Sequence, residues 1–467
     1  MVGRVFCIIG ARLPYADEFH QKTSLPLDAT SIAATASAVR HPAWAAHTSI
    51  YCVNVRQFTP EGTLRALVPQ LPRLAAMGVG IVWLLPIHPI GERNRKGSLG
   101  SYYSVRDYRA VGAEFGSLDD LRAVVAETHR LGMRLILDWV ANHSAWDNPL
   151  AEHHPAWYRR DAAGAFVPPF PDWTDVIAFE YTNAELRTWM TESLLFWIRA
   201  ADIDGFRCDV AGMVPTDFWE AARTALDAEK PVFMLSEWDD LFDPVHRTVA
   251  APTGQLRRAF DAQYGFRLHW LLDEIGAGEQ PVSALDEYLR LERAHHPPGV
   301  SLLNFTSSHD VNSWEGSEYE RLGANVLPLA VLAALLPGIP MVYGGQEAAV
   351  RHRLAFFERD SIEWADYPLA DFYTRLLTLH RRHPALANFD GAATCSRVPS
   401  AAGTYAFTRH KGRSAVLVAV NLTAAAVEIA VPAAAAGPWA DVFDAAPVAL
   451  GAAGLRVAPH GWRVLER

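Results

Sequence analysis

The chain has 467 residues and a net charge of -10, with half of its residues hydrophobic and a fifth charged. This composition supports a large folded core and excludes a disordered or low-complexity protein; the charge is spread without a basic run or an acidic tail, which argues against nucleic acid and anionic membranes as partners. The length exceeds one ordinary core, so a large domain with smaller additions is expected.

Residues 1–44 have no clear period and many small residues, and stand as an N-terminal arm without an assigned role. The apolar stretch VFCIIG is too short for the core of a secretion signal and is followed by Arg12, so a cytoplasmic location is expected. From residue 48 a strand-then-helix alternation begins. SIYCVNVRQF reads as the first strand, followed by an amphipathic stretch around Leu64, Leu67, Leu71 and Leu74. VGIVWLLP, MRLILDWV, DIDGFRCDV, PVFMLSEW, AFDAQYGF, SLLNFTSSHD and GIPMVYGGQE supply seven more strands, with LDDLRAVVAETHRLG and LRTWMTESLLFWIRAADI among the helical intervals. Eight near-continuous apolar runs alternating with helices predict an α/β fold, a parallel sheet buried on both faces and closed into a (β/α)8 TIM barrel over residues 45–381. The run VLPLAVLAALLPGIPMVY is broken by Pro328, Pro337, Gly338 and Pro340, so it reads as barrel core and not as a membrane span.

Two segments leave the alternation. Residues 144–182, rich in proline and tryptophan and without helical period, form a short inserted loop domain after strand three; loops that long inside a compact domain are usually functional. Trp146, Trp157 and Trp173 within it serve either loop packing or sugar binding, with packing favoured for two of the three. Beyond residue 382, TYAFTRH, SAVLVAVNL and VEIAVP read as short antiparallel strands of a C-terminal β-sandwich over residues 382–467.

Three acids recur at the ends of apolar runs: Asp209 in GFRCDV, Glu237 in FMLSEW and Asp310 in NFTSSHD. Parallel barrels carry their active sites at the C-terminal ends of the strands, so the chemistry is carboxylate chemistry, and hydrolysis of a glycosidic bond by a nucleophile and a general acid fits the set. One such acid alone is as readily a structural ion-pair partner; the ordered set is what argues for a site. Cys7, Cys52, Cys208 and Cys395 form neither a paired framework nor a CxxC spacing and read as reduced thiols. His153-His154 read as surface residues, and no HExxH spacing supports zinc.

At these residues the chain resembles the α-amylase family of glycoside hydrolases. The resemblance covers roughly residues 45 to 467 and rests on an ordered series: Asp138-Trp139-Val140-Ala141-Asn142-His143 at strand three, Gly205-Phe206-Arg207-Cys208-Asp209 at strand four, Glu237 at strand five, Ser308-His309-Asp310 at strand seven, and GIPMVYGGQE at strand eight. It implies a retaining enzyme acting on α-glucosidic bonds, most simply the α-1,4 bonds of malto-oligosaccharides. Asp209 matches the nucleophile, ionised and oriented by Arg207; Glu237 matches the general acid, sheltered by Trp238; Asp310 matches the acid that binds sugar hydroxyls and favours a distorted ring. Retaining geometry places nucleophile and acid about 5 to 5.5 Å apart. His143 and His309 match histidines that hydrogen-bond sugar hydroxyls, Tyr103 matches an aromatic platform, and Asp138 stands beside Arg207 as a positioning group. Arg351 or Arg353 is expected to reach a neighbouring sugar.

The chain also departs from the family. Secreted amylases commonly carry Lys-His three and four residues after the nucleophile, where this chain has Gly212 and Met213, which weakens a long-chain starch specificity. The loop QFTPEGTLRAL lacks the Asp-rich calcium segment of relatives acting on isomalto-oligosaccharides, and PDWTDV matches no one specificity signature. Asn142 and Asp172 fall where some amylases hold calcium, too few oxygens for the six to eight ligands it takes, so no cofactor is expected to be required and calcium is left open without being predicted. The expected partner is an oligosaccharide, an α-glucan or malto-oligosaccharide. The same residues leave a transglycosylase, or an α-glucosidase acting on short oligosaccharides, as alternatives. A non-catalytic sugar-binding or chaperone-like relative is disfavoured by the presence of all three acids. Oligomeric state is not written in the sequence.

Overall fold

The computed structural model describes residues 39–240, 242–243, 248–249, 256–296, 299–432, 435–451 and 454–467. Most of the N-terminal arm, with Cys7, lies outside the described residues. Eight parallel strands close into a barrel: β1 (Ile50–Val53), β2 (Ile81–Leu84), β3 (Arg134–Trp139), β4 (Gly205–Cys208), β5 (Phe233–Ser236), β6 (Ala262–Tyr264), β7 (Ser301–Asn304) and β8 (Ile339–Tyr343). They lie in sequence order around the barrel, and β1 meets β8 with Ile50 opposite Met341. Helices outside and packed side chains inside bury both faces, so successive strand residues are buried without alternation, mostly apolar but including Arg207 in β4.

Two strands are shorter than their apolar patterns suggest. In SIYCVNVRQF the strand stops at Val53, and Val55–Phe58 form a helical turn whose Gln57 and Phe58 N–H groups return to the Asn54 carbonyl. In SLLNFTSSHD the strand stops at Asn304, and the polar residues that follow curl toward Asp310. Close approach sets one register. Gly205 opens β4 where a Cβ would lie 1.9 Å from the Phe233 carbonyl oxygen, so only glycine lets β4 pair with β5 there.

The helices start on polar caps. Leu118–Arg130 begins on a reciprocal pair in which the Ser117 side chain accepts from the Asp120 N–H and the Asp120 carboxylate accepts from the Ser117 N–H. It buries Leu121, Val124 and Val125 on one face. Ala184–Ala201 begins on Asn183, whose side chain accepts from Glu185 and Leu186 N–H groups, and ends on Asp202 in a left-handed conformation. Helix Val326–Leu335 is buried along nearly its whole length because it lies between the barrel and the C-terminal sheet. Among the described residues no helix is long and apolar enough to cross a membrane.

After β3 the inserted segment returns on itself as a two-stranded ribbon, His143–Ala145 with Val176–Ala178, and between these strands it makes an α-helical turn, Pro149–His153, and a 3-10 turn, Pro155–Trp157. The C-terminal region forms a six-stranded antiparallel sheet in the order Thr394–Val398, Thr404–Lys411, Ser414–Asn421, Gly461–Glu466, Gly437–Asp441, Pro447–Leu450, with a separate pair, Val427–Ile429 and Leu455–Val457. It docks on the barrel through Trp462 against Phe372 and the Tyr405 hydroxyl, which donates to Asp286 at 2.9 Å.

Candidate active site

The strand ends deliver the site. Asp209 follows β4, Glu237 follows β5, Asp138 lies inside β3, and Asp310 caps a π-helical turn, Val311–Glu315, six residues beyond β7. All converge on Arg207 of β4. Its Nη1 donates to Asp138 Oδ1 at 2.9 Å and to Asp209 Oδ1 at 3.0 Å, and its Nη2 lies 2.5 Å from Glu237 Oε1. The guanidinium is fully buried among the rings of Trp83, Tyr103 and Tyr264, each 5.2 to 5.6 Å from its centre. A buried arginine stays charged here because Asp138 and Glu237 offset its desolvation.

One cation against three carboxylates leaves excess negative charge. Asp209 is accordingly pushed well above the usual carboxylate range, by burial first and by Glu237 second, with Arg207 opposing. This corrects the expectation that Arg207 dominates and holds the Asp209 carboxyl down. Asp138 is pushed up to about 7, again by burial first, although Arg207 and the Trp83 indole N–H, 3.1 Å from Oδ2, both donate to it. Glu237 Oε2 accepts the backbone N–H of Val210 at 2.9 Å. Val210 holds φ 37° and ψ 47°, a left-handed conformation that a β-branched residue rarely adopts. The strained turn after the first acid thereby orients the second.

The Tyr103 hydroxyl lies 3.1 Å from Asp138 Oδ2 and 2.7 Å from His309 Nε2, which fixes the ring while it lines the pocket. His309 stacks on Tyr103 and its Nε2 is 3.3 Å from Asp310 Oδ2. Burial holds both histidines neutral: His143 is lowered to about 3, and His309 falls well below its usual value with Arg207 adding to the effect. Neutral imidazoles, a fixed phenol ring and oriented carboxylates are the groups that bind an uncharged polyhydroxylated ring.

Tyr103, His143, Asp209, Glu237 and Asp310 line one pocket together, with Arg207 and Asp138 directly behind. Trp173 lines it too, edge-on to His143, whereas Trp157 is buried against His154, and Trp146 donates to the Thr174 carbonyl with Arg93 over its ring. Two residues expected at the sugar are elsewhere: Arg351 lies over the Tyr319 ring at 3.9 Å, and Arg353 pairs with Glu320 at 3.3 Å. Trp238 does not line the pocket. Its indole lies against Gly212, where a Cβ would stand 2.2 Å from Cδ2. A lysine at that position is incompatible with this placement of Trp238.

Sequence reasoning missed Lys96, Asp175, Trp314, Phe356 and Phe357, all in the lining. Asp175, two residues beyond Trp173 in PDWTDV, and Trp314, four beyond Asp310, were near a signal; the others come from loops without one. Lys96 donates to the Asp172 carbonyl at 2.9 Å and pairs with Asp175 at 3.0 Å. The Asp172 side chain is exposed, and the Asn142 amide lies 3.3 Å from His143 Nδ1. The described cysteines are free; Cys52 and Cys208 are buried, which raises both thiols well above their ordinary value.

A family model described as alpha amylase, catalytic domain, matches residues 28–161. The chain is 26% identical over 361 residues to alpha-amylase MalA of Haloarcula japonica, a match covering 74% of this chain and half the length of that relative. Among solved structures, an alpha-amylase from Lactobacillus plantarum is 29% identical with a TM-score of 0.79, covering 90% of this chain and 99% of that one. A noncanonic maltogenic alpha-amylase, AmyB of Thermotoga neapolitana, is 26% identical with a TM-score of 0.77, covering 90% and 98%.

Proposed function

We propose that the chain, similar to α-amylases in its family-model match and in relatives of 26% and 29% identity, is a glycoside hydrolase of that family that hydrolyses α-glucosidic bonds of malto-oligosaccharides with retention of configuration. The observation that carries this reading is the pair Asp209 and Glu237 on the two ends of one buried guanidinium. Two carboxyls held on one guanidinium are compatible with the about 5 to 5.5 Å of a retaining nucleophile and acid, and the anomer formed first tells retention from inversion.

Asp209 attacks the anomeric carbon in its ionised form, the state that Arg207 favours against burial and the Glu237 charge. Glu237 gives a proton to the departing glycosidic oxygen, and the bond to the leaving sugar breaks as the glycosyl ester forms. Water then attacks the anomeric carbon while Glu237 takes its proton; the new carbon–oxygen bond forms as the ester carbon–oxygen bond breaks, which releases the sugar and restores the Asp209 carboxylate. Arg207 orients both acids, Asp138 fixes Arg207 and the Tyr103 hydroxyl, Tyr103 supports the ring, and His143, His309 and Asp310 bind its hydroxyls. Transfer to a second sugar shares every step but the last.

No metal is required in this reading. Lys96 already supplies a cation to the Asp172 carbonyl and Asp175, so the junction where a dication would be sought is charge-matched by the chain itself. A cytoplasmic location fits the free thiols at Cys52, Cys208 and Cys395.

The test is a panel of maltotriose, maltoheptaose, isomaltose, sucrose and pullulan, with products resolved by chromatography and the first-formed anomer read by NMR. Turnover of the malto-oligosaccharides with an α product is expected. No cleavage of either one, or a first-formed β anomer, overturns the reading.

A further inference from the structure

The loops above the strand ends are stitched into a wall on one side of the pocket. The loop after β2 carries Lys96, which reaches across to Asp175 and the Asp172 carbonyl in the segment after β3. Two residues on, the same loop turns to the segment after β8: Ser98 N–H donates to Glu358 Oε1 at 2.9 Å, Leu99 N–H donates to the Phe357 carbonyl at 3.2 Å, and Gly97 packs so tightly that a Cβ would lie 2.5 Å from Phe357 Cβ. The β8 segment is in turn fastened to the turn after β7, where Leu354 N–H donates to Asn312 Oδ1 at 2.8 Å and the Ser313 hydroxyl donates to the Leu354 carbonyl at 2.8 Å. Lys96, Asp175 and Phe357 thus line the pocket as parts of one connected rim running from β3 through β2 and β8 to β7.

Chemistry fixes which end of a substrate meets that rim. The general acid must face the departing oxygen, so the leaving sugar stands on the side of Glu237 at β5. With the transferred sugar placed over Tyr103, as the proposed function has it, C4 of the pyranose stands opposite C1, so a chain continuing through O4 points away from Glu237 and toward the wall. Resting on the proposed α-glucosidic activity, we propose that the pocket is blind on the glycone side, so that the enzyme acts on non-reducing chain ends of short α-glucans and releases short units instead of cutting internally.

The experiment compares an aryl maltoheptaoside with the same compound blocked by a 4,6-O-ethylidene group on its non-reducing terminal glucose, with products followed by chromatography. The unblocked compound should be shortened from its non-reducing end, and the blocked one cut about ten- to a hundredfold more slowly, the penalty of forcing bulk into a packed wall. Phe357→Ala should narrow that ratio. Comparable cleavage of both compounds into internal fragments overturns the blind pocket while leaving the hydrolase reading intact; cleavage of neither overturns that reading and this inference with it. The wild-type comparison decides the matter even if the variant fails to fold.

Discussion

Val210 donates its backbone N–H to Glu237 Oε2 at 2.9 Å, so the residue after one strand-end acid holds the next. Arg207 occupies the other oxygen, and Glu237 is therefore oriented at both ends. A glutamine keeps the shape but offers one acceptor where two donors meet. Glu237→Gln should lower kcat by about a hundredfold or more on maltotriose, the usual range for loss of a general acid, and much less on an aryl glycoside with a good leaving group. Equal losses on the two substrates would count against Glu237 as the acid.

Asp209→Asn keeps an oxygen for the Arg207 Nη1 bond at Oδ1 but cannot form the glycosyl ester. Turnover should fall by at least about three orders of magnitude with the far-ultraviolet circular dichroism unchanged. Replacing a carboxyl whose burial already disfavours its charge should also leave the melting temperature the same or slightly higher. A folded variant with ordinary activity would remove Asp209 from the chemistry.

Gly212 has no room for a Cβ beneath the Trp238 indole. Gly212→Ala must displace that ring, which directly follows Glu237 in the chain, and kcat/KM on maltotriose should fall about tenfold, the scale on which small misplacements at a site are felt. The double variant Gly212→Ala with Trp238→Ala should perform like Trp238→Ala alone, because the clash is gone. Additive losses would show that the two residues act independently.

Much of this architecture is legible in the sequence because barrel strands buried on both faces appear as uninterrupted apolar runs, and because the candidate acids Asp209 and Glu237 sit directly after them. Pattern overreached where apolar residues continue past a strand into a turn, as at Val55–Phe58, whose N–H groups return to Asn54 instead of pairing across the sheet. Contacts between loops distant in the chain left no trace: Lys96 meets Asp175, and Ser98 meets Glu358, through folding alone. The place of Arg351 and Arg353 just past GGQE points one or the other to a neighbouring sugar, yet Arg351 lies over Tyr319 and Arg353 pairs with Glu320. The sign of the Asp209 shift needed burial, which composition does not report.

Buried neutral histidines set an acid limit on stability. His88, enclosed by Tyr108, Trp139 and Trp197, is lowered to about 4 by burial, with the Ala110 carbonyl opposing only in part. Between about pH 6.5 and 4 the unfolded chain binds a proton at this residue and the folded chain does not, so its contribution is full above about pH 6.5 and is lost as pH falls toward 4. His88→Phe should make the unfolding free energy from urea titrations shallower by up to about 1.4 kcal/mol per pH unit across that window, whatever its effect at pH 7. Parallel curves for variant and wild type would show that His88 is not the linked group.

The last prediction concerns cations. Lys96 is mostly buried and its ammonium meets the Asp172 carbonyl and Asp175, whose carboxylate is nearly inaccessible to water. A chelator should therefore leave activity and melting temperature nearly unchanged, since the charge a metal would supply at this junction is already in the chain. Removing the ammonium is another matter: Lys96→Ala leaves a buried carboxylate without its counter-charge, a loss of several kcal/mol for a fully enclosed pair, reduced here to about 1–3 kcal/mol because Lys96 retains some contact with solvent. The melting temperature should fall by several degrees, and Lys96→Arg should recover part of it. If a chelator instead lowers the melting temperature by many degrees and added calcium restores it, a well-occupied dication site exists, because linkage of that size requires tight binding to the folded state. A Lys96→Ala variant as stable as the wild type would likewise show that the ion pair does not hold the segment after β3 to the barrel.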